Sequence, residues 1–217
     1  MEDVLSFLRC PICKGQLELL GPGGPFKCPS CALAFPTKEG LPDFRIPECF
    51  APSNRFFKAL YDIYAPFYDR LENALARVIW PGFSEPELRE EIASSLDLGP
   101  GTSVLEVCVG TGANLPYIRA RTKGLLVGLD ISEEMLRICL RRIERLGLGP
   151  IRLFLGCAEY LPFASNTFDR VLIGGGISYF SNPGLALAGA GRVAVEDGLV
   201  VVFEQASFLE KLLGRID

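Results

Sequence analysis

The chain has 217 residues, 49% of them apolar, with 22 basic and 26 acidic side chains and a formal net charge of −4. That length holds one medium domain plus a small module, and the apolar fraction is enough for a sizeable core. The acidic balance disfavours nucleic acid as a partner. No apolar run approaches bilayer-spanning length, and Met-Glu-Asp-Val does not open a secretory signal, so the expected setting is the cytoplasm.

Eight cysteines in such a chain point to metal binding and buried thiols more than to disulfides. There is no histidine, which removes the commonest general base and leaves any zinc site to thiolates or carboxylates. Cys10-Pro-Ile-Cys13 and Cys28-Pro-Ser-Cys31 stand fourteen residues apart. Two such knuckles read as a four-thiolate zinc ribbon, with Cys10, Cys13, Cys28 and Cys31 as ligands. A redox dithiol explains only one of the two pairs. Gly21–Pro25 is turn chemistry for a hairpin tip. A module this small needs the ion for its folding free energy.

The pattern continues through Leu33–Pro36 and Gly40–Phe44. It resembles the small zinc-ribbon protein that activates several RNA and protein methyltransferases as a separate subunit, here fused in cis. Residues 1–50 carry five basic and six acidic side chains, so a folding or docking role is favoured over RNA binding. Prolines and missing periodicity between residues 45 and 55 place a linker there. Phe56–Asp69 then alternates aromatics with acids and reads as an amphipathic helix, with Tyr61, Tyr64, Tyr68 and Asp69 as pocket candidates. Ser84-Glu-Pro-Glu87 is a capping box opening a helix that ends near Leu96.

Val104–Leu115 reads as a buried strand running through a glycine turn into a helix. Glu106 sits inside the apolar run, where a carboxylate is costly unless a ligand offers donors. Gly110 and Gly112, flanking Thr111, allow close backbone approach. Leu125–Ile131 is a second strand ending in Asp130, placed for the two hydroxyls of a ribose, with Ser132 as N-cap. Leu115 stands where a nicotinamide-type fingerprint wants glycine. Met135, Leu136, Cys139, Leu140, Ile143 and Leu146 follow at helical spacing. Arg137, Arg141, Arg142 and Arg145 share that helix with Glu133, Glu134 and Glu144, as on a solvated mixed-charge face. Ile151–Leu155, Asp169–Gly174 and Gly198–Glu204 are the third, fourth and fifth strands, and Phe208–Leu213 starts an amphipathic segment. Gly174–Gly176 bares backbone at the carboxyl edge of the fourth strand.

The glycine stretch, Val127–Leu136, Gly156–Phe163 and Asn166–Val171, occurring in this order, resemble the class I S-adenosylmethionine-dependent methyltransferases. The likeness is greatest to the branch that includes quinone C-methyltransferases and phospholipid N-methyltransferases, and it covers roughly residues 51–205. It implies an α/β Rossmann-like sheet after the ribbon, with domains at 1–50 and 51–217. It also implies a methyl donor held by Glu106, Gly110, Thr111 and Gly112 at its methionine end and by Asp130 at the ribose. Ile131 and Met135 would pack near the adenine, Ala158 would meet its edge, and Gly174 would flank the transfer locus. Cys157 stands where the family's aspartate accepts from the adenine amino group, leaving Glu159 as an alternative acceptor, and Cys108 replaces the motif's first glycine.

The resemblance implies transfer of a methyl group to a small-molecule or lipid acceptor. The alternatives are an RNA methyltransferase docked through its ribbon and a non-catalytic methyltransferase-like partner. Peripheral membrane contact is left open. The family's sheet closes with two further strands that this sequence lacks, so the expectation is a homodimer through the strand-five edge.

Overall fold

The computed structural model describes residues 4–79 and 82–204. The ribbon comes first. Strands β1 (Glu18–Leu19), β2 (Phe26–Lys27) and β3 (Ala34–Phe35) form an antiparallel sheet, and β4 (Thr37–Lys38) pairs with β5 (Leu41–Pro42). Two-residue strands enclose no core of their own. Phe26 and Phe35 instead pack against Phe44, with ring centroids 5.5 and 5.3 Å away, and Phe44 lies 6.0 Å from Phe154 of the larger domain. Phe7 sits 6.2 Å from both Phe163 and Phe168. Main-chain bonds fasten the same seam. Arg9 donates its amide to the Pro162 carbonyl, Ala164 to Phe7 and Phe44 to Leu155, each at 2.8 Å.

The linker expected at 45–55 is instead built into the molecule. Ile46 and Cys49 are buried, Pro47–Phe50 forms a 3-10 turn, and Cys49 is disulfide-bonded to Cys157, 108 positions along the chain. The expectation of thiols rather than disulfides is thereby corrected at this pair. Helices α1 (Pro52–Tyr64) and α2 (Tyr68–Ile79) follow, joined by a 3-10 turn at Ala65–Phe67. Helix α3 (Glu85–Ser95) is capped by Ser84, whose hydroxyl accepts from the Glu87 amide.

The central sheet is parallel, with strands β6 (Val104–Val107), β7 (Leu126–Asp130), β8 (Arg152–Leu155), β9 (Phe168–Gly174) and β10 (Ala194–Phe203) in the order β10-β9-β6-β7-β8. All four residues of β6 and all five of β7 are buried, as a strand covered on both faces requires. One face carries the ribbon and α6 (Pro183–Val193). The other carries α3, α4 (Leu115–Arg121) and α5 (Glu133–Leu146). Ser132 caps α5 at its start, and Gly147 closes it at φ 59°. Strand β10 begins earlier than expected and reaches its register through an irregularity between Ala194 and Leu199. Among the described residues it is an outer strand, while Phe208–Leu213 lies outside them. The sheet order reverses between β6 and β9, so the connections leaving their paired carboxyl ends run to opposite sides and leave a crevice.

Because Phe44 belongs to the ribbon and the domain at once, Phe44→Ala removes a fully buried ring from a shared core. The expected cost is about 3–5 kcal/mol. Denaturant unfolding followed by far-ultraviolet dichroism and by metal release should show one transition moving to lower denaturant with both probes.

Candidate functional site

The four ribbon thiols converge. Their sulfur atoms all lie within 4.8 Å of one another, with Cys10–Cys31 at 3.6 Å and Cys13–Cys28 at 3.4 Å. A tetrahedron around zinc, with sulfur at about 2.3 Å, has edges of about 3.8 Å, so the set fits that ion. The two knuckles are built alike. The residue after each second cysteine, Lys14 and Ala32, adopts left-handed φ values of 60° and 61° and returns its amide to the carbonyl of the first cysteine.

Over the crevice lies a cleft of about 790 Å³, open to solvent, whose wall includes Gly110, Asp130, Ile131, Met135, Ala158, Glu159 and Gly174. At one end the Asp130 carboxylate accepts from the Gly110 amide at 2.8 Å and from the Ser132 amide at 2.9 Å. Strand β7 thus grips the glycine turn that follows β6. Burial raises the Asp130 carboxyl above its usual range even though these amides pull the other way. Gly110 holds φ 53° and Gly112 holds φ 75°. A Cβ on Gly112 would stand 2.6 Å from the Cys139 sulfur, so that glycine admits the packing of α5.

Glu106 lies behind the cleft wall rather than on it. A Cβ on Gly174 would come within 3.0 Å of Glu106 Oε1. Oε1 accepts from Asn114 Nδ2 at 2.7 Å, and Asn114 Oδ1 in turn accepts from Arg89 at 3.2 Å. Oε2 is buried and has no hydrogen-bond partner among the described residues. Burial drives the carboxyl up to about 7, the Asn114 bond and the Arg89 charge opposing it. An orphaned buried oxygen on an acid is a socket for a cationic or donating ligand group.

The roof comes from α1, the start of α2 and the loop after β9. Phe57 stacks on Tyr179 at 4.1 Å, and Asn54, Lys58 and Tyr68 also line the cleft. Glu159 Oε1 accepts from Asn54 Nδ2 at 3.2 Å and from the Ser181 amide at 3.0 Å, so its first task is to join α1 to that loop. Two acids of the roof reach downward. Asp62 accepts from the Ser132 hydroxyl at 2.5 Å, and Asp69 accepts from Thr111 Oγ1 at 2.7 Å while pairing with Arg142. Thr111 is thereby engaged by the roof, and Arg142 is not merely part of a solvated face. The side chains of Tyr61 and Tyr64 are outside those described. Sequence reasoning missed Asn54, Phe57, Lys58, Arg89, Asn114 and Phe180. A polar Asn54 on an otherwise aromatic helix and Asn114 eight residues after Glu106 were the available signals.

A reversed parallel sheet, a glycine turn clamped by an acid at the end of the next strand, and a cleft above both define the class I S-adenosylmethionine-dependent methyltransferase fold. Residues 104–198 match the family described as methyltransferase domain, while residues 2–40 match the family described as Trm112p-like protein. A demethylmenaquinone methyltransferase of Bacillus cereus is 37% identical over 119 residues, covering 54% of this chain and 50% of that protein. The chain thus spans about half the length of the curated relatives it matches. Among solved structures, the [4+2]-cyclase SpnF superposes with a TM-score of 0.61 at 19% identity, covering 72% of this chain and 63% of that one. A complex of the Haloferax volcanii Trm112 methyltransferase activator gives 0.52 at 19% identity, covering 65% and 58%. At these identities the superpositions establish the fold, and a cyclase sharing it shows why the chemistry has to be argued from the site.

Glu106 also sets a stability signature. Between pH 4.5 and about 7 the native carboxyl keeps a proton that the unfolded chain has lost, so its contribution to stability falls as pH rises through that window. Glu106→Gln should therefore stabilise the ligand-free protein by about 3 kcal/mol at pH 8, with most of the gain gone at pH 4.5. Urea denaturation at the two pH values measures it.

Proposed function

We propose that this chain transfers a methyl group from S-adenosylmethionine to a small-molecule or lipid acceptor. The observation that carries the reading is a cleft with Asp130 on its wall at the β7 end and the half-satisfied Glu106 set behind that wall at Gly174. Asp130 has lone pairs left for the ribose hydroxyls. The glycine turn at Gly110–Gly112 and the Glu106 socket would hold the amino-acid end. Ile131, Met135 and Ala158 would enclose the adenine. When bound, the donor supplies an electrophilic methyl on a sulfonium that is already a good leaving group.

The protein's task is then to orient and to exclude water. Phe57, Tyr179 and Phe180 offer a flat aromatic roof, and Gly174–Gly176 leave room beneath it, a shape suited to a planar apolar acceptor. The demethylmenaquinone methyltransferase relative supports an acceptor of that kind. No catalytic base is needed for such a displacement, in keeping with a sequence that has no histidine. We divide the chain into a zinc ribbon at 1–50, serving docking and folding, and a methyltransferase domain at 51–217. No described helix is long and apolar enough to cross a membrane.

Calorimetry with S-adenosylmethionine tests the reading. The parent should bind it, and Asp130→Ala and Glu106→Gln should each weaken binding by about tenfold or more. Because a cationic ligand favours ionised Glu106, parental affinity should rise with pH up to about 7 and level off above. Glu106→Gln should flatten that profile. Equal binding by parent and both variants would remove the assignment.

The outer edge of β10, with Leu199 and Val202 39% and 42% exposed, is the proposed surface for self-association. Light scattering at high concentration should report a dimer, and a clean monomer counts against it.

A further inference from the structure

The segment that leaves the ribbon does more than tether it. Asp43 pairs in parallel with Leu155 at the outer edge of β8, and the Phe44 amide donates to the Leu155 carbonyl. The chain then crosses the carboxyl ends of β8 and β7. Arg45 grips Asp43 with two arms, Nε to Oδ1 at 2.8 Å and Nη2 to Oδ2 at 2.6 Å, both side chains being 7% exposed. Its remaining arm, Nη1, donates to the Ile131 carbonyl at 3.1 Å. Four residues on, Cys49 is bonded to Cys157, which lines the cleft beside Ala158. Arg45 and Cys49 are not on the cleft wall. They stand behind it.

An outer strand has a neighbour on one side only, and the loop that follows it is held less firmly than those inside the sheet. Here the two loops that line the cleft after β7 and β8 are each fixed from outside by the same short segment. The chemistry of the fixing is specific. A guanidinium can serve a carboxylate with two donors and a carbonyl with a third, whereas an ammonium is a point charge without that fork. Arg45 Nη2 also lies 3.7 Å from Glu133 Oε2, so the guanidinium is held among Asp43, Glu133 and the Ile131 carbonyl, the carbonyl of the residue after Asp130.

Building on the reading of the cleft as a cofactor site, we propose that residues 43–50 form a collar that positions its adenosine half. Arg45 is the positioning residue for the Asp130–Ser132 turn, and the Cys49–Cys157 bond positions the Gly156–Glu159 turn. The ribbon is therefore continuous with the cofactor site through covalent and hydrogen-bonded links, not simply packed beside it.

Two ligands separate this role from general damage. S-adenosylhomocysteine carries both halves of the cofactor, and methylthioadenosine carries the adenosine half alone. In calorimetry on the full, zinc-loaded chain, Arg45→Met and Cys49→Ser should each weaken both ligands by a similar factor, about tenfold. Glu106→Gln should weaken S-adenosylhomocysteine and spare methylthioadenosine. Arg45→Lys should recover part of the loss. Zinc content and unfolding midpoint are measured on each variant, so that a variant that fails to fold is set aside and the others decide. Folded, metal-loaded collar variants that bind both ligands like the parent overturn the proposal. So does a loss confined to S-adenosylhomocysteine. A parent that binds neither ligand overturns the cofactor reading itself, which is a different result from collar variants matching a parent that binds.

Discussion

The aromatic seam between ribbon and sheet is the contact on which the rest of the molecule depends. The ribbon's strands are two residues each, too short to bury an apolar face against one another. Their phenylalanines complete a core whose other half is Phe154, Phe163 and Phe168. Dispersion and burial there act on ribbon and sheet together, and the four thiols, two of them buried in that same core, hold the ribbon in shape around its ion. With the seam in place, Asp43 lies along β8 and the segment beyond it can reach the cleft.

The cleft follows from a second constraint, the reversal of strand order between β6 and β9. Helices cannot cover the sheet at the reversal, so the loops after β6, β7, β8 and β9 meet over open space. Around that space the chain has put two buried acids, Asp130 on its wall and Glu106 behind it. Asp130 is satisfied by backbone amides. Glu106 has one oxygen satisfied and one not. That asymmetry is destabilising in the ligand-free protein and favourable toward a ligand with donors, the usual trade at a binding site.

Much of this was legible in the sequence, and the reasons differ by element. The knuckles could be read because zinc dictates both residue type and spacing. The β6 turn and the strand ending in Asp130 could be read because close backbone approach needs glycine and an acid closing an apolar strand stands out locally. The roof was legible as a helix but not as a set of contacts. Phe57 on Tyr179 and Asn54 on Glu159 join residues more than a hundred positions apart, and no local pattern announces such a pair. The segment at 45–55 was misread for a related reason. Its prolines and lack of periodicity resemble a linker, while what orders it is long-range: Arg45 on Glu133 and the Ile131 carbonyl, Cys49 on Cys157 and Asn54 on Glu159. Cysteine counting favoured thiols because it weighs composition and compartment, not which two sulfur atoms the fold brings together.

The parallel bridge between Asp43 and Leu155 has a consequence for recognition. It occupies the outer edge of β8 with a piece of the same chain. A freestanding ribbon subunit seeking that edge would have to displace a rival whose local concentration, set by a tether of a few residues, is on the order of millimolar. Fusion thus makes this docking face private: the module that fits there is always present, in one-to-one ratio, and synthesised together with the domain it serves.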